Sequence, residues 1–473
     1  MTTRVLPDDV AAQLRAIVGD AHVLTSPEDQ AGYLREWRDR YVGKALAVVR
    51  PGSTDDVARI LRFASAHRIG VVPQGGNTGL VGGQIPSAAG DQIVLSLARM
   101  TAVRAIDADG GTMIVEAGVT LRDAQIAAEN TGRLVPLSLA SEGSAQIGGV
   151  LATNAGGTAV LAYGNARNLC LGLEVVLADG LIWNGLRTLK KDNTGYDLRD
   201  LMIGSEGTLG VITAAALRLV PQPADVATAI VALPSPEAAL KFFRLAEDHA
   251  GAALTAFEFW SRRAMEFALA YMPNKRDPLA VPSPWYALVE LSGGNGSRVN
   301  ETLQLLLNSA LDAVLIADAA LSSSGQQQRD FWRLRESFSE AQKGAGGSIK
   351  HDISVPVARI PEFLTRAAAI VEAVCPGARP VPFGHFGDGN LHYNVSQPVD
   401  MDKARFLTLW DAMSDAVHGL VAELNGSISA EHGIGQMKRA ALLRHKSPVE
   451  IDIMRAIKAA LDPNGILNPG KVL

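Results

Sequence analysis

The residues best suited to chemistry lie in Gly384-His385-Phe386-Gly387-Asp388-Gly389-Asn390-Leu391-His392-Tyr393-Asn394. If Asp388-Gly389 forms a two-residue hairpin turn, Gly387 falls opposite Asn390, Phe386 opposite Leu391 and His385 directly opposite His392. The two imidazoles then share one face with Cβ atoms roughly 5 Å apart, near enough to ligate one metal ion, and Asn394 joins them by alternation. The missing third ligand would be a carboxylate. Glu431, in Ser429-Ala430-Glu431-His432-Gly433-Ile434-Gly435, is the candidate. Two His and one Glu leave coordination positions open, as a catalytic rather than a structural site requires.

A metallohydrolase or a non-haem iron enzyme could be built on that set alone, but it would leave three glycine segments idle. Pro73-Gln74-Gly75-Gly76-Asn77-Thr78-Gly79-Leu80-Val81-Gly82-Gly83 follows an apolar strand. Without Cβ atoms its backbone N–H groups can turn toward an anion, a diphosphate above all, and Asn77 and Thr78 add side-chain hydrogen-bonding groups. Ile147–Gly157 and Gly204–Gly210 are two more such segments, and three of them imply a long ligand. Neither G-x-G-x-x-G nor G-x-x-x-x-G-K-[ST] occurs, which counts against a Rossmann dinucleotide site and a P-loop.

The elements that must position these residues read as α+β. Between Ala45 and Pro73 the pattern gives a strand through Val49, then a helix capped by Ser53 or Thr54 with Val57, Ile60, Leu61 and Ala64 on one face, then a second strand. Thr112 to Pro136 is expected to repeat that alternation. Val175 to Trp183 reads as a hairpin whose turn uses Gly180. After Pro221-Gln222-Pro223 the composition shifts, which places domain boundaries at 1–220, 221–425 and 426–473. The polar stretch Ser322–Gln328 reads as a loop free to move.

At 473 residues, 47% hydrophobic and 20% charged, the chain is expected to fold as several packed units. A net charge of −5 and the absence of a dense Lys/Arg cluster count against nucleic acid as a partner. Two distant cysteines, no signal-like N-terminus and no long apolar run lead to the expectation of a reducing, cytoplasmic setting without a transmembrane segment.

Several long motifs, in order, carry a resemblance. The first glycine loop, Ser141–Gly157 (SEGSAQIGGVLATNAGG), Lys191–Thr213 (KDNTGYDLRDLMIGSEGTLGVIT) and the terminal Leu461–Leu473 (LDPNGILNPGKVL) resemble the vanillyl-alcohol oxidase/p-cresol methylhydroxylase type of FAD enzyme. The likeness is stronger to its D-2-hydroxyglutarate and D-lactate dehydrogenase branch. It implies a two-part FAD-binding domain, an α+β substrate domain and a C-terminal segment that returns to the flavin. By the same resemblance Pro73, Gly75, Gly76, Asn77, Thr78, Gly79, Gly82 and Gly83 would hold the FAD diphosphate. Ser144, Gly148, Thr153, Asn154 and Gly157 would line the flavin, Glu206, Gly210 and Ile212 would complete the adenine and ribose end, and Asn468 would reach the cofactor from the terminal motif. Asn77 stands where members that tether FAD covalently carry His, so the cofactor is expected to be non-covalent.

The resemblance also places the metal on His385, His392 and Glu431, with His432 as general base. Zinc is the first choice, because the ion would act as a Lewis acid while the flavin carries electrons; manganese and iron fit the same ligands. Arg335, Ser339 and Lys350, with Asn394 and His432, would bind the substrate. Arg335 and Ser339, at i and i+4 of a helix over Phe331–Ser339, would share a face. Ser339 replaces the Thr of the hydroxyglutarate enzymes in the family. The implied reaction oxidises a D-2-hydroxy acid by hydride transfer to flavin N5. D-2-hydroxyglutarate is expected first and D-malate second, with D-lactate or glycolate as the alternative. Electrons would leave to a separate acceptor, an electron-transfer flavoprotein or a quinone, and a homodimer is expected.

Overall fold

Ser53 begins the helix Thr54–His67 by accepting a hydrogen bond from Asp56 N at 3.1 Å, and that helix buries Val57, Ala58, Ile60, Leu61 and Ala64. A cap of this kind satisfies an amide that the helix itself leaves unpaired. The computed structural model describes residues 8–272 and 275–473. That helix crosses between Ala47–Val49 and Gly70–Gln74, which both run parallel to Gln92–Ser96 in a four-stranded sheet closed by Val23–Leu24. Each of these parallel strands is rich in buried Val, Ile and Leu, as a sheet covered on both faces demands.

A second, five-stranded antiparallel sheet runs in the order Val103–Asp107, Thr112–Glu116, Val211–Arg218, Cys170–Val176, Ile182–Gly185. Its last hairpin pairs Val175 with Trp183 and Val176 with Ile182, and Gly180 supplies a φ of 80° at the turn. The expected strand–helix–strand order over Thr112–Pro136 forms, but its two strands join different sheets. Thr112–Glu116 pairs antiparallel on both sides, and after the helix Leu121–Glu129 only Arg133–Leu134 is extended, paired with Val220–Pro221. Pro136, which has no N–H to donate, stands two residues beyond Leu134.

The chain divides into two units. One comprises the chain through Gly157 with Gly164–Gln222 and Glu431–Leu473; the other comprises Thr158–Tyr163 and Pro223–Ala430. The second unit is built on an eight-stranded antiparallel sheet whose central strands are Asp225–Leu233, Trp285–Gly293, Leu254–Ser261, Arg379–His385 and Asn390–Ser396. One face carries Phe257 and Phe259 against Phe243 and Phe386. The other carries Trp260, Tyr286, Leu288 and Phe383, packed under Met265, Phe331, Leu334 and Phe338. Ser322–Gln328 is not a free loop: Ser324 accepts from Gln327 N and starts the helix Gly325–Glu336. Among the described residues no helix is long and apolar enough to cross a membrane.

Candidate active site

The histidine hairpin pairs Phe383 with His392 and Val381 with Asn394, two residues out of the expected register. The turn is longer than Asp388-Gly389. A 3₁₀ turn over Phe386–Asp388 precedes Gly389, which takes a φ of 84°, and Asp388 accepts from Asn390 N at 3.0 Å. A shift of two, unlike a shift of one, keeps every side chain on its face. His385 and His392 therefore still share one, diagonally rather than opposite, with ring centroids 5.8 Å apart. Across the next strand His392 faces Asp352, a buried carboxylate missed in the sequence. Asp352 accepts from Asn390 Nδ2 at 3.0 Å, and its ligand atom and that of His392 lie within 4.8 Å.

Arg335 is placed differently from its expected position. The helix ends at Glu336, Ser337 forms the break, and Phe338–Ala341 is a separate turn, so Arg335 and Ser339 do not share one helical face. Ser339 is exposed, whereas Arg335 is buried, with Nε and Nη2 each 2.6 Å from Glu258 Oε2. Its guanidinium also lies 5.2 Å from the centre of the Phe383 ring. The other Glu258 oxygen, Oε1, is 2.6 Å from His385 Nδ1. Burial opposes ionisation of Glu258, but Arg335 and His385 outweigh it and hold the carboxyl below the usual carboxylate range. Lys350 is half-buried and donates to the Ser339 carbonyl at 3.4 Å, while Asn394 is buried on the His392 face.

In the other unit the three glycine segments meet. Gly76 runs so close to the second segment that a Cβ there would lie 1.7 Å from the Ser144 oxygen, and one at Gly83 would lie 3.1 Å from Glu206 Oε2. Glu206 N donates to Ala152 O at 2.8 Å, and Asn468 Nδ2 donates to Gly83 O at 3.0 Å and Glu206 O at 2.7 Å. Asn77, in the left-handed region, braces the loop by donating to the carbonyls of Gly32 and Arg35. Asn154, also left-handed, accepts from Arg167 N, and Thr153 donates to Gly149 O. Gly210 and Ile212 lead into and lie within Val211–Arg218, packed on Val175.

Residues 222–472 match the C-terminal domain of FAD linked oxidases, and residues 45–185 match an FAD binding domain. The chain belongs to the FAD-linked oxidases. It is 40% identical, over 98% of its length and 83% of the relative's, to a mitochondrial D-2-hydroxyglutarate dehydrogenase of Bos taurus. A D-2-hydroxyglutarate dehydrogenase of Xanthomonas citri pv. viticola is 38% identical over 99% of this chain and 97% of that one. The fold is also that of p-cresol methylhydroxylase, with a TM-score of 0.77 at 18% identity over 99% and 97% of the two chains. The chain thus groups with the D-2-hydroxyglutarate dehydrogenases as an FAD-dependent hydroxy-acid dehydrogenase.

FAD suits what the cradle offers. Asn77 Oδ1, Gln146 Oε1 and Asn468 Oδ1 are buried acceptors with no hydrogen-bond donor among the described residues. Buried polar atoms in native proteins are nearly always paired, and donors of a bound ligand would satisfy these three. FAD brings hydroxyls, an adenine amino group and a flavin N–H, and its diphosphate would accept from glycine-loop amides. Glu206 has partners in the chain itself. Its Oε1 accepts from Ile434 N at 2.7 Å and its Oε2 from Gly435 N at 2.8 Å, which ties down the loop that carries Glu431 and His432. Burial pushes the Glu206 carboxyl up, and the two amides oppose that shift. Within the loop His432 Nε2 lies 3.6 Å from Glu431 Oε1. Sequence reasoning missed Asp352, Glu258 and Gln146. Gln146 had the best local signal, standing beside the second glycine segment.

Proposed function

We propose that the protein oxidises D-2-hydroxyglutarate to the 2-oxo acid, ahead of D-malate and D-lactate, with a divalent cation at His385, His392 and Glu431. The observation that carries the substrate is the near full-length likeness to two D-2-hydroxyglutarate dehydrogenases. The cation is supported by the shared face of His385 and His392 and by Asp352 facing His392. Bound FAD would supply the hydride acceptor for C2, and a cation, zinc first and manganese or iron next, would supply a Lewis acid for the C2 hydroxyl. The hydroxyl proton passes to a ring nitrogen of His432. Asn394 and Ser339 orient the substrate, and Lys350 takes the distal carboxylate. Because Glu258 already offsets the Arg335 charge, Arg335 is secondary to Lys350 at that end. Electrons leave to a separate acceptor, an electron-transfer flavoprotein or a quinone, and the working form is a homodimer.

The test combines cofactor, cation and substrate. Acid should release a flavin that runs as FAD, and a chelator should remove activity while the flavin stays bound, with zinc or manganese restoring it. Lys350→Ala should lower kcat/KM for D-2-hydroxyglutarate by about ten- to over a hundredfold, the worth of one charge-assisted hydrogen bond, and leave slow D-lactate turnover nearly unchanged. A wild-type preference for D-lactate, or equal losses on both substrates, would reject the dicarboxylate reading.

A further inference from the structure

A carboxylate in the middle of a packed sheet needs a reason to be there. Glu258 lies on the central strand Leu254–Ser261, its side chain is 1% exposed, and its strand neighbour Trp260 belongs to the apolar core beneath the helices. Both of its oxygens are committed within the same unit: Oε1 to His385 Nδ1 at 2.6 Å, and Oε2 to Arg335 Nε and Nη2, each at 2.6 Å. The strand pairing places Glu258 directly beside His385, and Arg335 arrives from a helix fixed by Phe331 and Leu334 in the same core. Position, orientation and charge of this carboxylate are thus set from two sides.

The geometry points to Glu258 as a positioning residue of the metal centre, holding His385 with its proton on Nδ1 so that Nε2 presents a lone pair to a divalent cation, while Arg335 anchors the carboxylate. A neutral imidazole donates from one nitrogen and ligates through the other, so the acceptor at Nδ1 decides which nitrogen binds metal. Carboxylates behind metal-bound histidines also fix the plane of the ring and raise its basicity. Arg335 keeps the buried charge of Glu258 from being uncompensated, which accounts for its burial without a substrate. The inference rests on the divalent-cation reading above, and its test separates the two.

Zinc affinity of the flavin-loaded protein, measured by competition with a chromophoric chelator, is compared across wild type, His385→Ala, Glu258→Gln and the pair combined. Loss of an outer carboxylate typically weakens a metal site by about ten- to a hundredfold, so Glu258→Gln should fall in that range. Added to His385→Ala it should cost little more, because its effect runs through that ring. Glu258→Gln leaves Arg335 unpaired, so Glu258→Met with Arg335→Met provides a second variant with neither an orphaned cation nor an acceptor for His385 Nδ1, expected to show the same weakened affinity. Wild-type protein that takes up no stoichiometric zinc or manganese would overturn the cation reading itself. Tight zinc in the wild type, weakened by His385→Ala but unchanged in both Glu258 variants, or losses that simply add, would overturn the positioning role alone.

Discussion

Replacing Glu206 by Gln separates two accounts of that residue. Its carboxylate accepts from Ile434 N and Gly435 N at 2.7 and 2.8 Å. Hydrogen bonds to a charged group contribute about 1.5–3 kcal/mol each. Gln keeps one acceptor oxygen but turns an NH₂ toward the other amide, so at least one of the two bonds is lost and a buried N–H is left without an acceptor. If the loop carrying Glu431 and His432 must be held for turnover, that loss should appear as a roughly ten- to hundredfold fall in kcat, at about 1.4 kcal/mol per tenfold. The assay is steady-state turnover of D-2-hydroxyglutarate with a dye acceptor at saturating FAD, alongside the FAD dissociation constant. A residue serving the ribose would instead raise the dissociation constant and leave kcat intact once FAD saturates. That second outcome, or unchanged kcat with unchanged affinity, refutes the loop-holding argument. Glu206→Ala, which orphans both amides, should be worse than Gln; equal variants would also count against it.

Three further outcomes follow. Lys471 is buried, and burial with the nearby Arg439 pushes its ammonium down to about 8 from 10.5, so the penalty it imposes on the folded state is full below pH 8 and vanishes as pH rises through 10.5. Lys471→Met should therefore be more stable than wild type at pH 7 by on the order of 3 kcal/mol in chemical denaturation, with the gap closing toward pH 10.5; a gap constant with pH would refute it. Gly76→Ala should abolish flavin retention, read as the flavin-to-protein absorbance ratio, whereas Gly143→Ala, which meets open space, should keep it. Cys170, buried and pushed up to about 12, should stay inert to thiol reagents at pH 8 in the folded protein, and rapid labelling there would show that the strand Cys170–Val176 opens.

What could be read from the sequence was what adjacent residues decide. The Ser53 cap, the buried stripe Val57-Ile60-Leu61-Ala64 and the Gly180 turn all act within one turn or hairpin, and each lies where its pattern placed it. The histidine hairpin shows the limit. Alternation assigned His385 and His392 to one face, but the turn absorbed Phe386–Asp388 into a 3₁₀ segment, and only the even parity of the slip preserved the assignment. Ser322–Gln328 misled because a polar first helical turn looks like a loop until Ser324 is recognised as its cap. Partners distant in sequence were out of reach. Arg335 meets Glu258 across 77 residues and Gly435 meets Glu206 across 229, and neither pairing leaves a local periodicity to detect.

The parallel bridge between Val71 and Leu467 bears on how the protein is made. Val71 N donates to Ile466 O and accepts, through its carbonyl, from Asn468 N, each at 2.8 Å, so the strand leading into the first glycine loop gains its outer neighbour only from the terminal motif. Translation adds about 5–20 residues per second, and about 400 residues separate the two partners, so the strand waits roughly 20–80 s for its neighbour to emerge. During that interval the nascent sheet Ala47–Ser96 presents an unpaired edge beside a cofactor cradle that still lacks Asn468. The cradle is therefore completed only once the terminal motif has emerged, and until then the strand edge at Val71 stands open.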